Sequence, residues 1–463
     1  MKMTETKAKK SLNMDLTKGE PLKVIILFAL PLLLSNLFQQ FYNLTDTAII
    51  GHALGDTALS AVGSVSTLFN IFMSLIFGMT NGFSVIISNC FGSKDEDKLK
   101  RSAGSSIILG FSFTISMVVI GAVFLNPIMK LMAVPDSLFD QARSYILVII
   151  LALPLTCAYN MCSSFLRAIG NSVAPLVILI ISAFINVGLD ILFVVGLGLG
   201  VRGAGLATAA AQLISATVCF IYIKKKVPLL KLENKHLKVD TSLAGNLFAS
   251  GLSFAMMFTI VNIGTLFLQR AINDLGEETI AAHQTARKID SFCMMPISTI
   301  STAMATFSGQ NHGASKHDRI IDGIKKAFGA CCVICVLLIL LIFFLGDELS
   351  FLISGSENGN IIGLSYKYLV WNLPFFYILS ILCLGRTTLQ GVGSKIAPLI
   401  CSLFEMVLKV IMAERFVDVF GYNGIIICEP ITWIVCSIFI IIVFVRNKHI
   451  RNAFKLSRSN KGI

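Results

Sequence analysis

Two carboxylates stand in stretches that are otherwise suited to hydrocarbon. Asp46 lies inside the apolar run Val24–Ile50, and Asp190 inside the run 173–196. An acid in a bilayer core is costly, so its presence asks for a task. Asn186 precedes Asp190 by four positions; Gln39, Tyr42 and Asn43 precede Asp46 by seven, four and three. Those spacings share a helix face. At 1.5 Å per residue, Asp46 sits roughly 7 Å and Asp190 roughly 9 Å below the outer interface. Thr208 reaches a similar depth from the next run. The expected chemistry is a polar chamber in which two like charges share one site, a setting that favours uptake of a proton or small cation. Pro31, fifteen residues before Asp46, removes a helical hydrogen bond and is a candidate hinge.

The second half carries different charges. Glu405 precedes Lys409 by four residues, the favourable order for a helical ion pair, and is read as architecture. Asp290 clusters with Arg287 and Lys288 and is expected to be neutralised locally. Glu429 falls near the outer end of the last run and is expected to face a cleft.

The elements that position these residues are all helical. Of 463 residues, 55% are hydrophobic and only 14% charged, too few to coat a water-soluble particle of this size. Runs such as Ile107–Leu125 and Ile425–Val445 approach or exceed the roughly 20 residues that cross a bilayer as a helix, and they do not alternate as barrel strands would. The first run is too long for a signal-peptide core and is read as a retained helix. The fold class is therefore all-α: a polytopic membrane protein with 12 transmembrane helices near 24–50, 57–88, 102–125, 141–163, 173–196, 203–223, 243–272, 279–308, 323–345, 363–385, 395–416 and 424–445.

A net charge of +12 is of the sign that suits nucleic acid, but its distribution argues against that partner. One set of alternating loops, counted with Arg167 and Arg386 in it, holds 29 of the 38 Lys and Arg; the other set holds 6. That asymmetry is the positive-inside pattern and places both termini in the cytoplasm of a cell-membrane protein. The remaining three cations, Arg287, Lys288 and Lys409, fall within helices.

The chain repeats itself. Leu54-Gly55 matches Leu275-Gly276, and Ser144-Tyr145 matches Ser365-Tyr366, both at an offset of 221. Gly170…Ala174-Pro175 matches Gly393…Ala397-Pro398 at 223. The organisation read from this is a cytoplasmic segment 1–23, a first six-helix lobe 24–223, a cytoplasmic linker 224–242, a second lobe 243–445 and a cytoplasmic tail 446–463. Six helices per half make the repeats parallel, related by an axis along the membrane normal, as in transporters that rock about a central site. In the second half Phe267 stands opposite Asp46 in the repeat, Ala413 opposite Asp190 and Lys409 opposite Asn186. Walker A, His-Glu-x-x-His and Gly-x-Ser-x-Gly patterns are absent, so neither an enzyme nor direct ATP use is expected. Cys331, Cys332 and Cys335 are read as small apolar helix residues, without metal or cofactor.

Three stretches resemble the multidrug and toxic compound extrusion (MATE) family of the multidrug/oligosaccharidyl-lipid/polysaccharide flippase superfamily. They are Pro31…Gln39-Gln40-Phe41-Tyr42-Asn43-Leu44-Thr45-Asp46-Thr47, Leu166-Arg167-Ala168-Ile169-Gly170-Asn171 and Gly200-Val201-Arg202-Gly203-Ala204-Gly205. The resemblance runs from about Leu22 to Val445. It implies a cation-coupled antiporter that exports amphipathic, often cationic, drugs or toxic compounds by alternating access, acting as a monomer. It carries functional roles onto Pro31, Gln39, Tyr42, Asp46, Asn160, Asn186, Asp190 and Thr208; Ser163 stands where a polar amide is common. A second branch of the family uses acids on its seventh and tenth helices for sodium, and Gly251–Arg270 and Lys367–Gly385 here hold none. H+ at Asp46 and Asp190 is the first expectation, and Na+ at the same acids the second. The rival readings are a lipid-linked glycan flippase, which would favour cations in its cavity, and a membrane-embedded enzyme or scaffold.

Overall fold

Glycine, proline and polar caps divide the apolar sequence into long helices. The computed structural model describes residues 13–447 and 451. The spanning helices are α1 (Pro21–Leu54), α2 (Ser66–Gly92), α3 (Glu96–Val123), α4 (Asp136–Ala168), α5 (Val173–Gly196) and α6 (Gly200–Lys226) in the first half. The second half contributes α7 (Thr241–Asn273), α8 (Glu277–Gly313), α9 (His317–Ser354), α10 (Gly359–Gly391), α11 (Ile396–Arg415) and α12 (Tyr422–Arg446). The expected single helix 57–88 is instead two, because the chain breaks at Val65 between Asp56–Ser64 and α2. Most helices outrun the expected spans. Arg167 and Arg386, expected in loops, therefore lie inside α4 and α10. Pro31 interrupts nothing: α1 is helical from Pro21 to Leu54.

Eleven of these helices are apolar enough to cross a membrane by composition alone, and α8 is the exception. It succeeds because it is the inner helix. His283, Thr285, Asp290, Thr299, Ser308, Gln310 and Asn311 are all buried against neighbouring protein. α9 is the opposite case, turning Val333, Leu337, Phe343 and Phe344 outward as a lipid-facing stripe.

One buried cluster gathers α2, α3, α4 and the inner end of α6, and another gathers α8 to α12. The start of α1, with Phe28, Ala29 and Leu32, packs into the second cluster, whereas Ile50 at its end joins a first-half cluster. The two halves meet tightly where α2 crosses α7. A Cβ on Gly82 would sit 2.5 Å from the Gly251 backbone, so only glycine allows this approach. Ser250 Oγ donates to the Gly82 carbonyl at 3.0 Å. Further along, Gly309 of α8 meets Ser88 of α2.

The seam is sealed on the face where the basic loops gather. The strap Asn13–Glu20 lies across both halves there. Met14 N donates to Gly170 O at 3.0 Å in the first half, and Leu16 N donates to Gln310 Oε1 at 3.0 Å in the second. Gln310 Nε2 returns to Ala168 O at 2.8 Å, so one amide ties α4, α8 and the strap. Arg319 Nη1 donates to Gly19 O at 2.8 Å. Glu20 caps α1 and accepts from Lys326 Nζ at 2.8 Å. Those bonds, from Lys326 first and the Lys23 N–H second, hold its carboxyl down at about 2, so it stays ionised at working pH. Leu16 is fully buried in the second-half core. Leu16→Ala is therefore expected to cost about 2–5 kcal/mol, as for other buried leucines, and to lower the thermal midpoint in detergent. An unchanged midpoint would mean that the strap is a loosely laid tail.

Candidate functional site

The first-half acids meet. Asn186 is fully buried and Asp190 nearly so, while Asp46 is half-buried. With its amide oriented by the surrounding acceptors, Asn186 Nδ2 donates to Asp46 Oδ1 at 2.8 Å and to Asp190 Oδ2 at 3.0 Å. Asp46 and Asp190 are themselves within side-chain hydrogen-bonding reach of each other. Tyr42 reaches Asp46 and donates to Thr208 Oγ1 at 3.4 Å. The other Asp190 oxygen, Oδ1, is buried without a hydrogen-bond partner. Directly after Asp190 the helix widens into a π turn, Ile191–Gly196, with Leu197 N donating to Leu192 O at 2.8 Å. Such turns recur at functional sites. Because α1 runs on to Leu54, Asp46 lies deeper than expected, roughly 12 Å from the helix end. Two carboxyl groups joined by one amide, with a free oxygen beside them, can hold a proton or a small cation.

Other expected site residues stand apart. Gln39 and Asn43 are exposed on α1 and do not join the chamber. Asn160 Nδ2 donates to the Thr156 carbonyl of its own helix at 2.9 Å, and the buried Ser163 bonds Tyr159. Both lie near the basic end of α4, far along the helix from Asp46. Tyr145 of α4, which the sequence had not singled out, is close enough to interact electrostatically with both Asp46 and Asp190.

The second half answers with a closed charge network. Glu405 Oε1 takes Lys409 Nζ at 3.2 Å, the expected pair, but its Oε2 takes Arg386 Nη2 at 2.7 Å. Glu429 does not face a cleft; it is buried, 3.0 Å from Arg287 Nη1, 3.0 Å from the Tyr368 hydroxyl and 3.8 Å from Lys409. Arg287 also meets Asp290 at 3.2 Å, while Lys288 points the other way and is exposed. The expected mutual neutralisation thus holds for Arg287 and Asp290 and fails for Lys288, 100° further round the helix. Arg386 lies one residue past the expected end at 385, and its partner Glu405 is on another helix.

Above the seam a cleft opens. Asn36 Nδ2 of α1 donates to Thr299 Oγ1 of α8 at 3.0 Å. On the side away from the basic face, the stripes that continue from these two residues are exposed: Gln39 and Asn43 on α1, Gln284 and Lys288 on α8. Gln284 Nε2 donates to Gln269 Oε1 of α7 at 2.9 Å. On the other side of the contact, a small closed cavity is lined by Phe77, Phe258, Arg167, Thr302, Thr387 and Gln390 among others.

A profile of the MatE family matches the chain over residues 31–192 and 253–413, two blocks whose starts lie 222 residues apart and whose ends lie 221 apart. The chain is similar to the probable multidrug resistance protein YoeA of Bacillus subtilis, 27% identical over 82% of this chain and 83% of the relative. It is also similar to the multidrug export protein MepA of Staphylococcus aureus, 22% identical over 88% and 90%. In fold it matches a crystal structure of MATE in the bent conformation, with a TM-score of 0.88 at 20% identity, covering 98% and 99% of the two chains.

Arg386 changes what mutation of the second-half network should do. Glu405→Gln strands Arg386 and weakens the hold on Lys409, at a cost of about 3–5 kcal/mol. Lys409→Met leaves Glu405 bound to Arg386 and costs less, about 1–3 kcal/mol. The double variant still strands Arg386, so it should recover less than half of the loss in folded yield and thermal midpoint. A double variant as stable as the wild type would show that Glu405 serves Lys409 alone.

Proposed function

The chain belongs to the MatE family, and from that premise we propose that it is a secondary active antiporter exporting amphipathic drugs or toxic compounds. Its family makes it a multi-pass membrane transporter rather than an enzyme. The finer reading is coupling at Asp46 and Asp190, with H+ as the driving ion and Na+ at the same acids as the second choice. The observation that carries it is the Asn186 amide clasped between the half-buried Asp46 and the buried Asp190, the latter keeping an unbonded oxygen. Repulsion between the two acids favours binding one cation, and binding it relaxes the demand on Asn186, Tyr42 and Thr208.

Alternating access fits the seam. Close glycine packing and the strap seal the basic face, while the opposite side is open between α1 and α8. With the basic face cytoplasmic, as the positive-inside pattern expects, this is the conformation that releases substrate from the cell. Cation binding at Asp46, on the wall of the first half, then biases the return.

Dye efflux from cells with matched protein levels tests coupling. Asp46→Asn should abolish uncoupler-sensitive export while insertion survives, because Asn keeps the shape and loses the titratable group. Asp190→Asn should do the same, and the double variant should be no worse than either single, since groups sharing one ion act as a unit. Wild-type efflux in Asp46→Asn, or losses that simply multiply, would sink the single-chamber reading.

A further inference from the structure

Two cations on the passage between the halves, Arg167 and Lys288, have no carboxylate partner among the described residues, whereas the acid on its wall, Asp46, is held by Asn186. On α8, Phe292, Met295, Thr299 and Thr302 all fall within about 40° of Lys288 around the helix axis. Thr299 bonds α1 across the seam and Thr302 lines the closed cavity, so Lys288 is on the passage face and not on the lipid face. It stands roughly 16 Å beyond Thr299, in the open cleft. Asp290, two residues on, is turned into the second half and bound to Arg287. Among the described residues no carboxylate lies within 4 Å of Lys288. At the floor, Arg167 lines the closed cavity, bonded to Ser164 of its own helix at 3.1 Å and to no acid among the described residues. The facing α1 residues Asn36, Gln39 and Asn43 are neutral amides, and Asp46 is engaged by Asn186. Aromatic surface accompanies each cation: Phe77 and Phe258 at the floor, with ring centroids 6.0 Å apart, and exposed Phe292 one turn from Lys288.

An unpaired cation beside an aromatic face is a receptor for an apolar body carrying a negative group. We propose that the passage recognises amphiphiles through an anionic group, a carboxylate, sulfonate or phosphate, met first by Arg167 at the floor and then by Lys288 in the cleft. This reverses the charge that the family resemblance implies for the substrate. It rests on the export reading only in taking the cleft as the substrate path.

The test compares two probes with one aromatic body and opposite charge, 4-(1-pyrenyl)butyrate and 4-(1-pyrenyl)butyltrimethylammonium, titrated calorimetrically into the purified full-length chain. The carboxylate should bind about tenfold more tightly, one tenfold step being the scale of a single well-placed charge contact. Lys288→Gln and Arg167→Gln should each erase most of that preference, and Lys288→Arg should keep it. Lys288 is exposed, so its replacement leaves packing intact, and size-exclusion profiles check that all variants fold. Repeating the titration in nanodiscs with and without phosphatidylglycerol separates the sources of the anionic group: competition by the lipid assigns it to a headgroup, no competition to a free amphiphile. Preference for the ammonium, a ratio that ignores both glutamine variants, or binding of neither probe would overturn the proposal. Uncoupler-sensitive export that depends on Asp46 would stand through any of those results. Charge-selective binding by a chain that exports nothing would keep this inference and remove the export reading.

Discussion

Water does not reach the hydrocarbon core, so a charge carried into it must find its partner within the chain or work for its place. That constraint sorts the buried charges of this protein into two kinds. In the second half, Arg287, Arg386 and Lys409 meet Asp290, Glu405 and Glu429, three cations against three carboxylates, each in contact with the next. Nothing in that network needs an ion from outside. In the first half, Asp46 and Asp190 meet only an amide, a phenol and hydroxyls, and no basic side chain lies within 4 Å among the described residues. The repeat gives both halves the same scaffold, yet one half is electrostatically complete and the other is short by a positive charge. A travelling cation would supply it, which is the coupling proposed for Asp46 and Asp190.

The same constraint decides what could be read in advance. Asp46, Asn186 and Asp190 were legible because i to i+4 spacing within a helix is local, and because an acid in an apolar run has few explanations. Glu405 with Lys409 was legible for the same reason. Arg386 was not, because its partner is on another helix and the apolar run around it was ended one residue too soon. Glu429 was misplaced for a related reason: sequence gives its depth in the membrane, but only the packing of α8 against α10 and α12 brings Arg287 and Tyr368 to it. The strap was invisible because its bonds are made by backbone groups to residues some 300 positions away, such as Leu16 to Gln310, and its composition carries no signal. Lys288 shows the limit most clearly. Its neighbours in sequence suggested mutual neutralisation, and a turn of 100° sends it into the cleft while Arg287 goes to the core.

One helix connects the working acid to the seal. α1 begins at Glu20, which the strap and Lys326 hold on the basic face, and its first turns are packed in the second-half core. It passes Pro31, meets Thr299 at the floor of the cleft and delivers Asp46 to α5 in the first half. Its 34 residues span roughly 50 Å, most of the thickness of the protein. A helix anchored in one half at its start and in the other at its end cannot keep both sets of contacts when the halves move relative to each other. Either the strap contacts give way, or the helix bends between the two anchors, where Pro31 lacks the N–H that would resist bending. In the proposed cycle, neutralising the charge at one end would change the balance of contacts at the other without any chain of side chains between them. The link is the backbone of α1 itself, and it exists because the sequence places Asp46 on α1 and the strap directly before its first turn.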